Sequence, residues 1–125
     1  MLNCELSLKY KIIFDLIHSP YYFHLTGSRY FETANENSDW DFFVSTESNT
    51  LEFWLKSYGF QRISGEYNSQ DITAVYRQDN VDIQITTDAV RKENIQKIIK
   101  ENKLYTSDKK YMKNLWNCLF RLYKM

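Results

Sequence analysis

Residues 24–45, "HLTGSRYFETANENSDWDFFVS", decide how this chain is organised. A short β-rich run ends at Thr26 and is followed by a Gly27-Ser28 pair. A polar stretch then leads to Asp39, Trp40 and Asp41 at the mouth of an apolar run. If 39–45 is a strand, alternation sends Asp39 and Asp41 to one face and Trp40, Phe42 and Val44 to the other. The two carboxylates then stand roughly 6 to 7 Å apart at Cβ, where like charges repel unless a cation neutralises them. Magnesium suits such a pair, because it takes hard oxygen ligands and keeps positions for water and phosphate. The Gly-Ser turn complements it: glycine lets backbone N–H groups approach an anion closely, and a helix start adds a favourable dipole. Ser28 offers a hydroxyl donor and Arg29 a cationic fork for a phosphate oxygen.

Outward from this stretch, the spacing of Ile12, Ile13, Leu16 and Ile17, with Leu6 and Leu8 before them, predicts an amphipathic helix over 5–18. Ser19-Pro20 ends it, and "YYFHLT" (21–26) reads as a strand. Residues 29–36 read as a short helix. Glu47–Tyr58 reads as a helix with Gly59 as terminator, and "FQRI" as a short strand. "DITAVYR" (71–77) and "VDIQIT" (81–86) alternate on either side of "QDN", a hairpin signal. Helices are expected over 89–102 and 107–124, the second capped by Ser107 or Asp108. Interleaved strands and helices with a hairpin between them predict an α+β fold, a mixed sheet flanked by helices. In "VDIQIT", Asp82, Gln84 and Thr86 share the polar face. If this strand neighbours the one bearing Asp39 and Asp41, three carboxylates converge and can hold two metals about 4 Å apart.

The 125 residues allow one domain, 1–125, with a core over about 20–90 and basic helices over 89–125. An apolar fraction of 43% argues for a packed core and against disorder. No apolar run approaches the roughly 18 to 20 residues of a membrane span, and the first twenty residues do not read as a signal peptide, so no membrane contact and a cytoplasmic location are expected. Cys4 and Cys118 lack metal-site spacing and read as reduced thiols. Net charge is zero, but residues 91–125 carry ten basic against three acidic side chains and residues 1–90 six against thirteen. A basic helical end facing a polyanion or a protein is one reading, and a pair of solvated helix faces the blander one. Lys109, Lys110 and Lys113 cluster at a helix start, against the dipole preference. No helix-turn-helix or zinc-finger pattern points to direct DNA reading.

Gly27-Ser28, ten intervening residues, then Asp39-Trp40-Asp41 before Phe-Phe-Val resembles the GS…DxD signature of the polymerase-β-like nucleotidyltransferase superfamily. "GSRYFETANENSDWDFFV" is similar to a bacterial and phage group whose motif reads GSRxYGTAxxxSDxDxxG. Phe31-Glu32 replaces its Tyr-Gly, and Val44-Ser45 its later Gly region. The resemblance covers about residues 20–90. It implies a magnesium-dependent transfer of a nucleoside monophosphate from an NTP to a hydroxyl on RNA, protein or a small molecule. Gly27, Ser28 and Arg29 would bind the nucleotide, Asp39, Asp41 and Asp82 two Mg2+ ions, and Asp82 would assist deprotonation of the acceptor. The alternative is a diverged, non-catalytic member acting as an antitoxin or inhibitor through the basic helices. Among other side chains, His24, Trp40, Trp54 and Trp116 read as structural and His18 as a helix-end residue. Tyr67 could stack on a base, and Gln84 could touch nucleotide or acceptor.

Overall fold

A computed structural model describes residues 4–46, 48–63 and 71–122, with side chains of the first helix from Tyr10 onward. Glu47, Tyr67, the end of the last expected helix (123–124) and the side chains of Cys4, Leu6 and Leu8 lie outside the described residues. In chain order the elements are α1 (Cys4–Ile17), β1 (His24–Thr26), α2 (Gly27–Tyr30), β2 (Trp40–Ser45) and α3 (Leu51–Tyr58). They continue as β3 (Gln61–Ile63), β4 (Ile72–Gln78), β5 (Val81–Thr86), α4 (Ala89–Glu101) and α5 (Lys109–Leu122).

The strands form one sheet in the order β1-β2-β5-β4-β3. β2 and β5 run parallel at its centre, and the other neighbours pair antiparallel. The hairpin between β4 and β5 closes through Asp79 and Asn80, both at positive φ (46° and 64°), as a tight two-residue turn requires. The class is therefore α+β with a mixed sheet and flanking helices, as the pattern predicts.

Alternation gives the sheet two unlike faces. Phe42, Val44, Ala74, Tyr76, Val81, Ile83 and Ile85 are buried on one, against Ile12 and Leu16 of α1 and Leu51 and Leu55 of α3. Each such aliphatic side chain contributes about 1.5 to 3 kcal/mol on burial, so this layer carries much of the stability. The opposite face is polar at many positions, and α4 covers part of it. Gln96 Nε2 donates to the Leu25 carbonyl (3.1 Å), and Lys92 lies buried beside Phe43, paired with Asp71 at 3.3 Å. Ile95 and Ile99 of α4 join Leu119 of α5 and Phe31 in a second apolar cluster.

Four expected elements end differently. The strand expected over 21–26 keeps only His24–Thr26, because Ser19 Oγ bonds the backbone of Tyr21 and the rings of Tyr21 and Phe23 pack on Trp54 instead. The helix expected over 29–36 occupies Gly27–Tyr30, and Glu32 at φ 61° breaks it. Asp39 precedes β2, which begins at Trp40 where the Trp40 N–H donates to the Asn80 carbonyl (2.8 Å). α3 starts at Leu51 and not near 47: the Ser48 and Thr50 hydroxyls bond each other, and Tyr21 bonds Thr50. Gly59 terminates α3 at φ 121°, donating to the carbonyls of Leu55 and Lys56. Asp108 caps α5 by accepting from the N–H groups of Lys110 and Tyr111. Among the described residues no helix is long and apolar enough to cross a membrane.

Candidate active site

Register places five side chains in one row across the sheet. Thr26 of β1 lies opposite Asp41 of β2, Asp41 beside Asp82 of β5, Asp82 opposite Arg77 of β4, and Arg77 opposite Gln61 of β3. Residues in register on neighbouring strands share a face, so Asp41 and Asp82 stand side by side on the polar face. Gly27 abuts them at φ 70°. A Cβ built there would come within 2.5 Å of Asp41 Oδ2, so the position needs glycine both for its backbone conformation and for this close approach.

Arg77 joins the third carboxylate to the pair. Its Nη1 donates to Asp82 Oδ1 at 2.7 Å and to Asp39 Oδ2 at 3.4 Å, while Nη2 donates to Asp39 Oδ1 at 3.4 Å and Asn80 Oδ1 at 3.3 Å. The guanidinium thus bridges Asp39 and Asp82. Asp39 is 41% exposed, Asp82 19% and Arg77 38%, so this ionic cluster opens to water.

Three acids and one base leave surplus negative charge, and the protonation of Asp41 reflects it. Burial, then the charges of Asp82 and Asp39, push its carboxyl up to about 6, against a smaller opposing effect of Arg77. When protonated, Asp41 donates to Asp82. Asp82 is also raised, chiefly by burial, with Arg77 opposing. A carboxyl poised near neutrality beside an ionised neighbour is suited to accepting a proton or a cation.

Of the residues singled out from the sequence, Gly27, Asp41 and Asp82 meet directly, and Asp39 joins them through Arg77. Arg29 is engaged elsewhere: Nη2 donates to the Ser38 carbonyl at 2.8 Å and the guanidinium lies over the Trp40 ring at 4.5 Å. It ties the 31–38 loop to the start of β2, and so helps to fix Asp39. The Ser28 carbonyl accepts from the Thr33 N–H (2.9 Å), within the same loop. Gln84 takes the next place inward from Asp82 on the same face, in register with Phe43 and Val75. His24 stacks on Phe43 at 4.7 Å and sits 3.8 Å from Glu93, with burial lowering its pKa. It is a packing residue, as expected.

Arg77 is the residue that the sequence reading overlooks, although its signal is present. A two-residue turn at Asp79-Asn80 sets Gln78 opposite Val81 and therefore Arg77 opposite Asp82. The donor chemistry of Asp39, Asp41 and Asp82, all hard carboxylate oxygens, fits magnesium. Their arrangement does not yet form a ligand set: among the described residues no three acidic, imidazole or thiol groups are grouped to hold a metal, and Arg77 bridges two of the carboxylates. No family model, curated protein or solved structure matches this chain.

Proposed function

We propose that the protein is a metal-dependent nucleotidyltransferase of the polymerase-β-like kind, moving a nucleoside monophosphate from an NTP to a hydroxyl acceptor. The observation that carries this reading is the adjacency of Asp41 and Asp82 in register on parallel strands, with the Gly27 turn packed against Asp41. In this reading Asp41 and Asp82 would hold magnesium, with Asp39 joining them, and the ion would supply charge neutralisation for in-line phosphoryl transfer. The Gly27-Ser28 turn receives the triphosphate through its backbone. Asp82 assists removal of the proton of the acceptor hydroxyl, whose oxygen forms a bond to the α-phosphorus as the bond to the β-phosphate bridge breaks and pyrophosphate leaves. The acceptor is RNA, a protein or a small molecule.

One observation favours a second reading, a non-catalytic protein of the same fold. Arg77 already pairs with both Asp39 and Asp82, which suits a site that has exchanged its ions for a permanent side-chain cation. The exposed Lys109, Lys110 and Lys113 at the start of α5 would then contact a polyanion or protein.

The two readings part in a transfer assay. Wild type and Asp41→Asn are incubated with magnesium and each α-labelled NTP, in the presence of RNA and protein acceptors. The enzyme reading predicts labelled acceptor with wild type and a loss of about 100-fold or more in the variant. NTP binding that needs no metal, without transfer to any acceptor, supports the second reading.

A further inference from the structure

The contacts of Arg77 bear on how many ions the site can take. Asp82 stands between two neighbours in the row across the sheet, Asp41 on one side and Arg77 on the other. On the Arg77 side, the guanidinium already bridges Asp82 and Asp39. Nη1 donates to Asp82 Oδ1 at 2.7 Å and to Asp39 Oδ2 at 3.4 Å, and Nη2 to Asp39 Oδ1 at 3.4 Å. Both oxygens of Asp39 are thereby engaged, and Nη2 takes a further acceptor in Asn80 Oδ1 at 3.3 Å. The backbone of Arg77 is fixed as well, because β4 lies between β5 and β3, with Arg77 in register with Asp82 and Gln61. A guanidinium keeps its charge at every pH at which carboxylates ionise. On the other side of Asp82, Asp41 meets it beside the Gly27 turn. The charge count agrees with this geometry: three ionised carboxylates less one guanidinium leave two negative charges, the complement of one divalent cation and not of two.

We propose that Arg77 permanently fills the place of a second metal ion, so that the site takes one divalent cation, between Asp41 and Asp82. This rests on the nucleotidyl-transfer reading and departs from the two ions that the sequence resemblance implies. A second ion on Asp39 would have to part the guanidinium from both oxygens of that carboxylate, and it would meet a like charge within a few Å. Arg77 instead draws Asp39 and Asp82 together through charge-assisted hydrogen bonds. Asp39 then acts through Arg77, and the charge that remains on the cluster is left for one ion.

Mn2+ in place of Mg2+ makes the count visible on the full chain. Electron paramagnetic resonance is recorded with each of the four α,β-methylene NTPs, which block transfer; two Mn2+ ions about 4 Å apart couple their spins, and a single ion does not. Wild type is expected to hold one Mn2+ per chain, with the spectrum of an isolated ion. Arg77→Met is expected to hold twice as many, as a coupled pair. A coupled pair in wild type, or one isolated ion in both proteins, overturns the inference and leaves the nucleotidyl-transfer reading standing. No Mn2+ retained by either protein with any of the analogues overturns both. If Arg77→Met fails to fold, Arg77→Gln, neutral but still able to donate to a carboxylate, takes its place with the same expectation. A coupled pair in wild type overturns the inference whether or not either variant folds.

Discussion

Strand β5 carries two ionic clusters at its two ends, and they are built on opposite plans. At Thr86 the plan is closed. Asp71 pairs with Lys92 at 3.3 Å, the Thr86 hydroxyl donates to the same Asp71 oxygen at 2.6 Å, and the ammonium faces the rings of Trp116, Phe43 and Phe120 at 5.3, 5.8 and 5.9 Å. One acid meets one base, and both are buried. At Asp82 the plan is open: three carboxylates share one guanidinium, and the cluster reaches water. A buried charge persists when its partners are complete. The Thr86 end therefore reads as architecture, and the Asp82 end, with its charge deficit, as a place for something that arrives.

The largest effect is expected at the closed end. Lys92→Met strands the Asp71 carboxylate and should cost about 3 to 5 kcal/mol in urea unfolding. Adding Asp71→Asn should recover most of that loss, because the uncompensated charge is gone. A single-variant loss no larger than that of a surface lysine would erase the distinction between the two ends.

At the open end the same kind of change has the opposite sign. The Asp41 carboxyl titrates at about 6 in the folded chain, above the usual value of about 4 in the unfolded one. The folded state holds this proton more tightly, so the stability it contributes is complete below about pH 4 and is lost as pH rises to about 6. Asp41→Asn removes that loss. It should stabilise the chain by about 1 to 3 kcal/mol at pH 7.5 and by little at pH 4, as read by unfolding at the two pH values. A variant less stable than wild type at pH 7.5 would mean that Arg77 already balances the cluster.

The open cluster was more legible in the sequence than the closed one. Asp41 and Asp82 follow from alternation along two strands once these are taken as neighbours, and the register bears out that pairing. Alternation alone sets Asp39 on the strand with them, but it precedes β2 and reaches Asp82 through Arg77. Arg77 was within reach through the hairpin turn, yet a search for acids passes over a base. Lys92 gave no local signal: "VRKENIQ" has the polar pattern of a solvated helix, and only the packing of α4 on the sheet buries it. Along α5, Tyr111, Leu115, Leu119 and Leu122 recur at helical spacing and show the converse. Leu119 is buried, whereas Tyr111 and Leu122 of the same stripe are exposed. Periodicity marks the face of a helix, and tertiary packing decides how much of that face is covered.

Thermal melting at pH 7.5 with Mg2+ and each NTP in turn probes the charge deficit most directly. Ligands bound only by the folded chain raise the midpoint. Wild type should gain several degrees with Mg2+ and at least one NTP, and Asp41→Asn should gain little beyond its own higher baseline. A wild-type midpoint unmoved by Mg2+ with any of the four NTPs would contradict the account and leave Asp39, Asp41, Asp82 and Arg77 as a self-contained structural cluster.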